Sequence, residues 1–346
     1  MRDEYSSGVN ANVDDERDRH LNMGGGLVPY DTKPSDNQAP EPLRFGVFWC
    51  LAAGAVAGYI PVLASFAGAY GTCLCTYQKG WKRILAALIS LLAPSVAIAL
   101  LVPSLRVGDV VVPTLVGFAF GLLTAKKRLN GNTVALTSAA AVAMLIGSDA
   151  VSSAATGTTL SQNMASLINE AVSAANVGGD PQMQAMADRV RESLSLYWPL
   201  LYGVVAVVYG FCAWLGVVMF THSVTFGSEY KVQFRTFEAP TWILAIMVVG
   251  FAIYIAQRNG TQMPREVVFI GLNLMQGARF FVVLQGLALT VWFLASHGVG
   301  KFGQALAFIF GIQLEYSFFV MSVFGFVDGL AHFRDWPKKD KSDGQA

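Results

Sequence analysis

The sequence predicts an all-α protein, a polytopic helical bundle integral to a membrane with about nine spans, and three observations carry that expectation. Hydrophobic residues make up 54% of the 346 positions and charged residues only 14%, where soluble domains carry about 25% charged. The mean hydropathy is +0.48. The apolar residues also gather into long runs parted by short polar breaks. Two of these runs, 266–296 and 302–333, are each longer than the roughly 20 residues a helix needs to cross hydrocarbon.

Residues 1–43 hold no apolar core, so they do not read as a signal peptide. Nine acids face four bases there, with Gly24-Gly25-Gly26 and prolines at 29, 34, 40 and 42. That composition predicts a disordered acidic tail on the cytoplasmic side. The transmembrane domain is expected over 44–335, followed by a polar tail over 336–346.

Pro61 interrupts the first apolar stretch and predicts two short spans, about 45–60 and 61–77. In the first, Ala53 and Ala57, and Gly54 and Gly58, stand four apart. This spacing gives a helix face without bulk, suited to close packing within the bundle or to docking another membrane protein. A basic turn of Lys79, Lys82 and Arg83 precedes a span of about 83–103. The next span, 113–124, ends at Lys126-Lys127-Arg128, and an Ala-rich span follows over 132–146. Two spans separate the basic clusters, which therefore share a side, and the positive-inside rule makes that side cytoplasmic; the membrane expected is the plasma membrane.

Residues 150–196 predict an extracytoplasmic amphipathic helical hairpin. Leu160, Met164, Leu167, Ile168 and Val172 form one stripe, and Met183, Met186, Val190 and Leu194 a second, which begins after Gly178-Gly179 with Asp180 as cap and Pro181 in the first turn. A lid over a binding site and a hairpin lying on the bilayer share this pattern. Spans at 197–221, 242–256, 266–296 and 302–333 complete the chain, with a polar loop containing His222, Glu229, Lys231, Arg235 and Glu238 after the first of them. With nine spans Arg334, Lys338, Lys339 and Lys341 fall on the wrong side, unless the last run folds back as a hairpin or an earlier break is false.

The two final runs carry polar groups at depths where an ionised side chain costs about 2.5–3.5 kcal/mol to insert. Asn273, Gln276, Arg279 and Gln285 lie on the first run, and Gln313 and Glu315 on the second. Measured from the turn at 297–301, Arg279 and Glu315 fall within about one helical turn of each other in depth, which predicts an ion pair inside the bundle. This polar centre either fixes helix register or serves a polar solute or a proton. The spacing of Asp328, His332 and Asp335 reads as a helix end at the interface, not as a metal site. The four cysteines lie in or beside apolar runs and match no zinc spacing. No catalytic motif is present, so neither an enzyme nor a cofactor is expected, and a net charge of +1 gives no reason to expect nucleic acid.

Several of these residues carry a family likeness. Asn273, the run Leu284-Gln285-Gly286-Leu287-Ala288, and Gly325-Phe326-Val327-Asp328 with Phe333-Arg334 resemble the carboxy-terminal signature of the YybS-like family of bacterial multi-pass membrane proteins without an assigned function. Gly80-Trp81-Lys82 and Phe234-Arg235 with Pro240-Thr241-Trp242 resemble it too, and the likeness spans about 45–335. It marks Asp328 and Arg334 as a signature helix end. The first six spans of that family are similar to the substrate-binding subunits of energy-coupling-factor transporters. That similarity implies a six-span unit with added carboxy-terminal spans, and gives the small-residue face of Ala53, Gly54, Ala57 and Gly58 a docking role. The function expected is a small-solute binding or transport-type subunit acting with other membrane proteins. The alternative is a scaffold of the cell envelope without a solute.

Overall fold

The computed structural model describes residues 42–77, 80–102, 105–174, 181–223 and 231–335. The expected disordered tail, the cap around Gly178 to Asp180, Glu229 and the lysines after Arg334 lie outside these residues. All described elements are helical: α1 Pro42–Val56, α2 Pro61–Thr76, α3 Trp81–Leu101, α4 Val107–Ala125, α5 Gly131–Ala155, α6 Leu160–Ala174, α7 Pro181–Thr221, α8 Thr241–Arg258, α9 Arg265–Ser296, α10 Lys301–Phe318 and α11 Val320–Ala331. Short 3-10 turns cover Phe234–Thr236 and Phe333–Asp335.

Six of these helices, not nine, are long and apolar enough to cross a membrane: α3, α4, α5, α7, α8 and α9. The difference lies at the two ends of the bundle. Helices α1 and α2, of 15 and 16 residues, rise only about 22–24 Å, short of about 30 Å of hydrocarbon. They form a tight antiparallel hairpin. A Cβ on Gly46 would meet the Cys75 backbone at 2.7 Å, and one on Gly71 the Cys50 backbone at 2.9 Å, so only glycine permits this approach. At the other end α10 and α11 are bent by 102° across one residue and do not continue one crossing.

Two further expectations change. Span 113–124 begins earlier, at Val107, with Pro113 inside the helix; the Ser65 hydroxyl donates to the Pro113 carbonyl at 3.0 Å and ties α2 to α4 there. The second arm of the predicted hairpin and the span after it are one 41-residue helix, α7, which continues through Pro199. Helix α5 likewise runs past Asp149, because that carboxylate has partners: Arg106 at 3.0 Å and the Tyr202 hydroxyl.

Packing divides the helices into two groups. The amino-terminal group surrounds α2, which touches α1, α3, α4 and α7. Its core joins Leu74, Phe120, Leu145 and Val217. The carboxy-terminal group surrounds α9, which touches α8, α10 and α11 and reaches α7. Ala135 of α5 packs with Ile243, Leu244, Ala278, Phe281 and Val282, tying the groups together near the start of α5. That start is set by a capping box between Asn130 and Thr133.

Helix α11 returns toward the end of the bundle from which α10 set out. Its amino-terminal part lies against the middle of α9, whereas Arg334, just beyond it, donates to the carbonyls of Arg235 and Phe237, which precede α8. The α10–α11 pair is thus a re-entrant excursion, which resolves the charge conflict of a nine-span count: Arg334 lies at the same end as Lys126-Lys127-Arg128.

Candidate functional site

The six residues of the expected polar centre do not form one site. Arg279 and Glu315 meet. Arg279 Nε donates to Glu315 Oε1 at 2.9 Å, and Nη2 donates to the same oxygen. Glu315 Oε1 also accepts the Ser322 hydroxyl at 2.6 Å, and Oε2 accepts the Ser322 backbone N–H at 2.8 Å. Ser322 is the third residue of α11, so this carboxylate caps the amino terminus of that helix, where orphan N–H groups and the helix dipole favour negative charge. The residue at the bend, Phe319, is in the left-handed region at φ 58°, and the Arg279 guanidinium stacks 4.1 Å from the centre of its ring. A bulky residue held there costs about 1–3 kcal/mol, which the surrounding bonds must overcome. Gln276 joins through its Oε1, 3.4 Å from Arg279 Nη1. The cluster has the geometry of a clamp on the α10–α11 break, and its bonding groups are engaged with one another.

The other three lie elsewhere. Asn273 Nδ2 donates to the Leu196 carbonyl at 2.9 Å and to Phe269 O at 2.8 Å, tying α9 to α7 next to Ser195, whose carbonyl Pro199 deprives of its helical donor. Gln313 is exposed and belongs to no polar cluster; two residues before Glu315, it points off the clamp's face of the helix. Gln285 belongs to a second cluster. Its Nε2 donates to Asp328 Oδ2 at 2.9 Å, Arg334 Nη2 reaches the same oxygen at 3.0 Å, and Gln285 Oε1 accepts the Ala239 N–H at 3.1 Å. Arg334 Nη1 extends to the Phe237 carbonyl at 2.8 Å and the Arg235 carbonyl at 3.1 Å. Asp328 and Arg334, the signature residues, are therefore a buried ion pair gripping the segment before α8. His332, left-handed at φ 48°, turns the chain so that Arg334 folds back onto Asp328.

The small-residue face is used inside the chain. Ala53 and Ala57 are fully buried, and a Cβ on Gly54 would lie 2.4 Å from the Leu91 carbonyl of α3. Gly58 packs against Leu105 and Ile98. Internal packing thus occupies the face that the transporter-subunit likeness assigned to a partner. Among the described residues no group of three His, Cys, Asp or Glu side chains is placed to hold a metal ion.

The feature that sequence reasoning missed is a half-open cavity of about 550 Å3 between α5, α7, α9 and α10, bordered at one end by the segment 231–238. Its walls are apolar: Phe120 and Val134, Val207 and Phe211 of α7, Phe281 and Leu284 of α9. Trp214, Phe234 and Phe308 form a run of edge-to-face rings along one side, with centroids 5.9 and 5.5 Å apart. Polar groups gather at the bordering segment and the start of α5, where Lys231, Gln233, Thr236, Glu238 and Asn130 lie. Neither Arg279 nor Glu315 lines it. The lining comes from six separate stretches whose apolar residues look like any other packing residues in sequence. Only the resemblance-bearing Phe234-Arg235 marked the region.

This architecture, six full-length helices, a short hairpin and a re-entrant pair with buried charges sheltered among them, defines a polytopic helical membrane protein. The family model described as a predicted membrane protein, DUF2232, matches residues 50–329, and the chain belongs to that family. Neither a curated protein nor a solved structure matches the chain.

Proposed function

We propose that the protein is a binding subunit of transport type for a small, largely apolar solute, held in the cavity between α5, α7, α9 and α10. The cavity itself carries this reading. At about 550 Å3 it falls within the range of small-molecule sites, and its apolar walls with a few convergent polar groups at one end match the usual composition of such sites. The lining suits a molecule with one apolar body and a polar end, that end lying beside Lys231, Gln233 and Asn130. The subunit is read as non-enzymatic, acting with other membrane proteins in a plasma membrane. The basic ends at Lys126-Lys127-Arg128 and Arg334 support a cytoplasmic placement of that side, and of the amino terminus with it.

The closure of the Arg279 cluster favours a second reading, a scaffold without a solute, since its polar groups bond one another. Native mass spectrometry of the purified protein separates the two. A retained small molecule that is lost in a cavity-filling Leu284→Trp variant supports the binding subunit. A retained membrane protein, with no small molecule in either form, supports the scaffold.

A further inference from the structure

We propose that the segment 231–239 is a strap across one end of the cavity and that Gln285, Asp328 and Arg334 are the latch that holds the strap in place. The proposal rests on the cavity being a ligand site, and it says how access to that site is governed.

The strap has little structure of its own. Beyond the 3-10 turn Phe234–Thr236, its backbone makes no regular ladder, so its polar groups need outside partners. The latch supplies them at three points: Arg334 on the carbonyls of Arg235 and Phe237, and Gln285 on the Ala239 N–H. Just before the first of these points the strap delivers Phe234 into the row of rings, against Trp214 on one side and Phe308 on the other. Lys231, Val232, Gln233, Phe234, Thr236, Phe237 and Glu238 all line the cavity, so lifting the strap removes that border and much of the cavity's polar end together.

The latch is also bonded below capacity. Asp328 Oδ1 and Arg334 Nε are buried and have no hydrogen-bond partner among the described residues. A buried polar network that is only partly satisfied is held less firmly than a complete one. Opening admits water to both atoms, which partly offsets the bonds lost. The Arg279 clamp offers no such compensation, because its carboxylate already accepts bonds at both oxygens.

The test uses the full-length protein in detergent and reads the strap without any ligand. A thiol introduced by Phe234→Cys is labelled with a water-soluble maleimide, first with the latch intact and then with Arg334→Gln. Loss of the charge-assisted bonds is expected to speed labelling about tenfold or more. An unchanged labelling rate overturns the latch. Should Arg334→Gln fail to give monodisperse protein, Gln285→Met, which removes the Ala239 bond and leaves the ion pair, is expected to raise the rate by a smaller factor, and no rise there overturns the proposal equally. A second readout follows quenching of tryptophan fluorescence by a dibrominated stearic acid, with Trp214→Phe as the control for position. Faster exchange of this probe in the latch variants supports the strap as a gate, and equal exchange overturns that role. Absence of quenching in every form counts against the binding reading, while the labelling rates still decide the strap.

Discussion

Two buried ion pairs lie less than three turns apart along α9, and they have opposite characters. Arg279–Glu315 joins helix to helix. It is crossed by both donors of Ser322, stacked on Phe319, and has no buried atom without a partner. Asp328–Arg334 joins a helix end to a stretch of irregular backbone, and one polar atom on each side chain lacks a partner. The same pairing of guanidinium and carboxylate fixes a bend in the first case and tethers a strap in the second. What distinguishes them is how many of their remaining hydrogen-bonding positions are filled, and by what kind of backbone.

The most damaging way to break the comparison is to separate α11 from α9, which meet in both clusters through Ser322 with Arg279 and Asp328 with Gln285. A Cβ on Gly325 would lie 1.8 Å from the Val282 carbonyl, and one on Gly286 2.1 Å from the Met321 carbonyl. Gly325→Val is expected to lift α11 off α9, disrupt both clusters and cost about 3 kcal/mol or more. Loss of monodisperse protein and a lowered melting temperature in detergent are the measures; a variant as stable as the parent contradicts the close approach. Next come Arg279→Ala and Glu315→Ala, each leaving an unpaired buried charge at a cost of about 3–5 kcal/mol. The double variant should lose less than the sum of the two, and strict additivity would deny the coupling.

Asp328→Asn keeps the shape of the second pair and removes its charge, so a smaller loss, about 1–3 kcal/mol, is expected. It sharpens the contrast, because proteolysis or thiol labelling of the strap should change more than the global melting temperature does. Asn130→Ala removes the cap at the start of α5, beside the cavity, and should cost about 1 kcal/mol without affecting either pair. Gln313→Leu, on the exposed face of α10, should leave stability within about 0.5 kcal/mol, marking where the expected polar centre ends.

The meeting of Arg279 with Glu315 was legible because it required only depth. Two antiparallel helices joined by a short turn place residues at equal distances from that turn side by side, and the cost of insertion gives both charges reason to pair. Gln313 escaped the same logic because depth says nothing about rotation: two residues along a helix is about 200° around it, whereas the spacing of Gln285 from Arg279 already turns it to another face. The bend at Phe319 was hidden as well, since no proline or glycine stands at the break and a phenylalanine carries no expectation of positive φ. The single helix α7 reads as two in sequence because the amphipathic stripe of Met183, Met186, Val190 and Leu194 gives way at Tyr197 to a continuous apolar run, and a change of surroundings looks like a change of element. The cavity was out of reach altogether. It exists because six stretches fail to fill a space between them, and no local pattern records a volume left empty.

Helix α7 has one more consequence. Its 41 residues rise about 61 Å, roughly twice the hydrocarbon depth, so a long amphipathic shaft stands beyond the crossing portion at the far end from the strap. Val207, Phe211 and Trp214 belong to the same continuous rod. One unbroken helix therefore joins a shaft on the opposite face of the membrane to a wall of the cavity, with Pro199 the single place along it where a helical bond is missing.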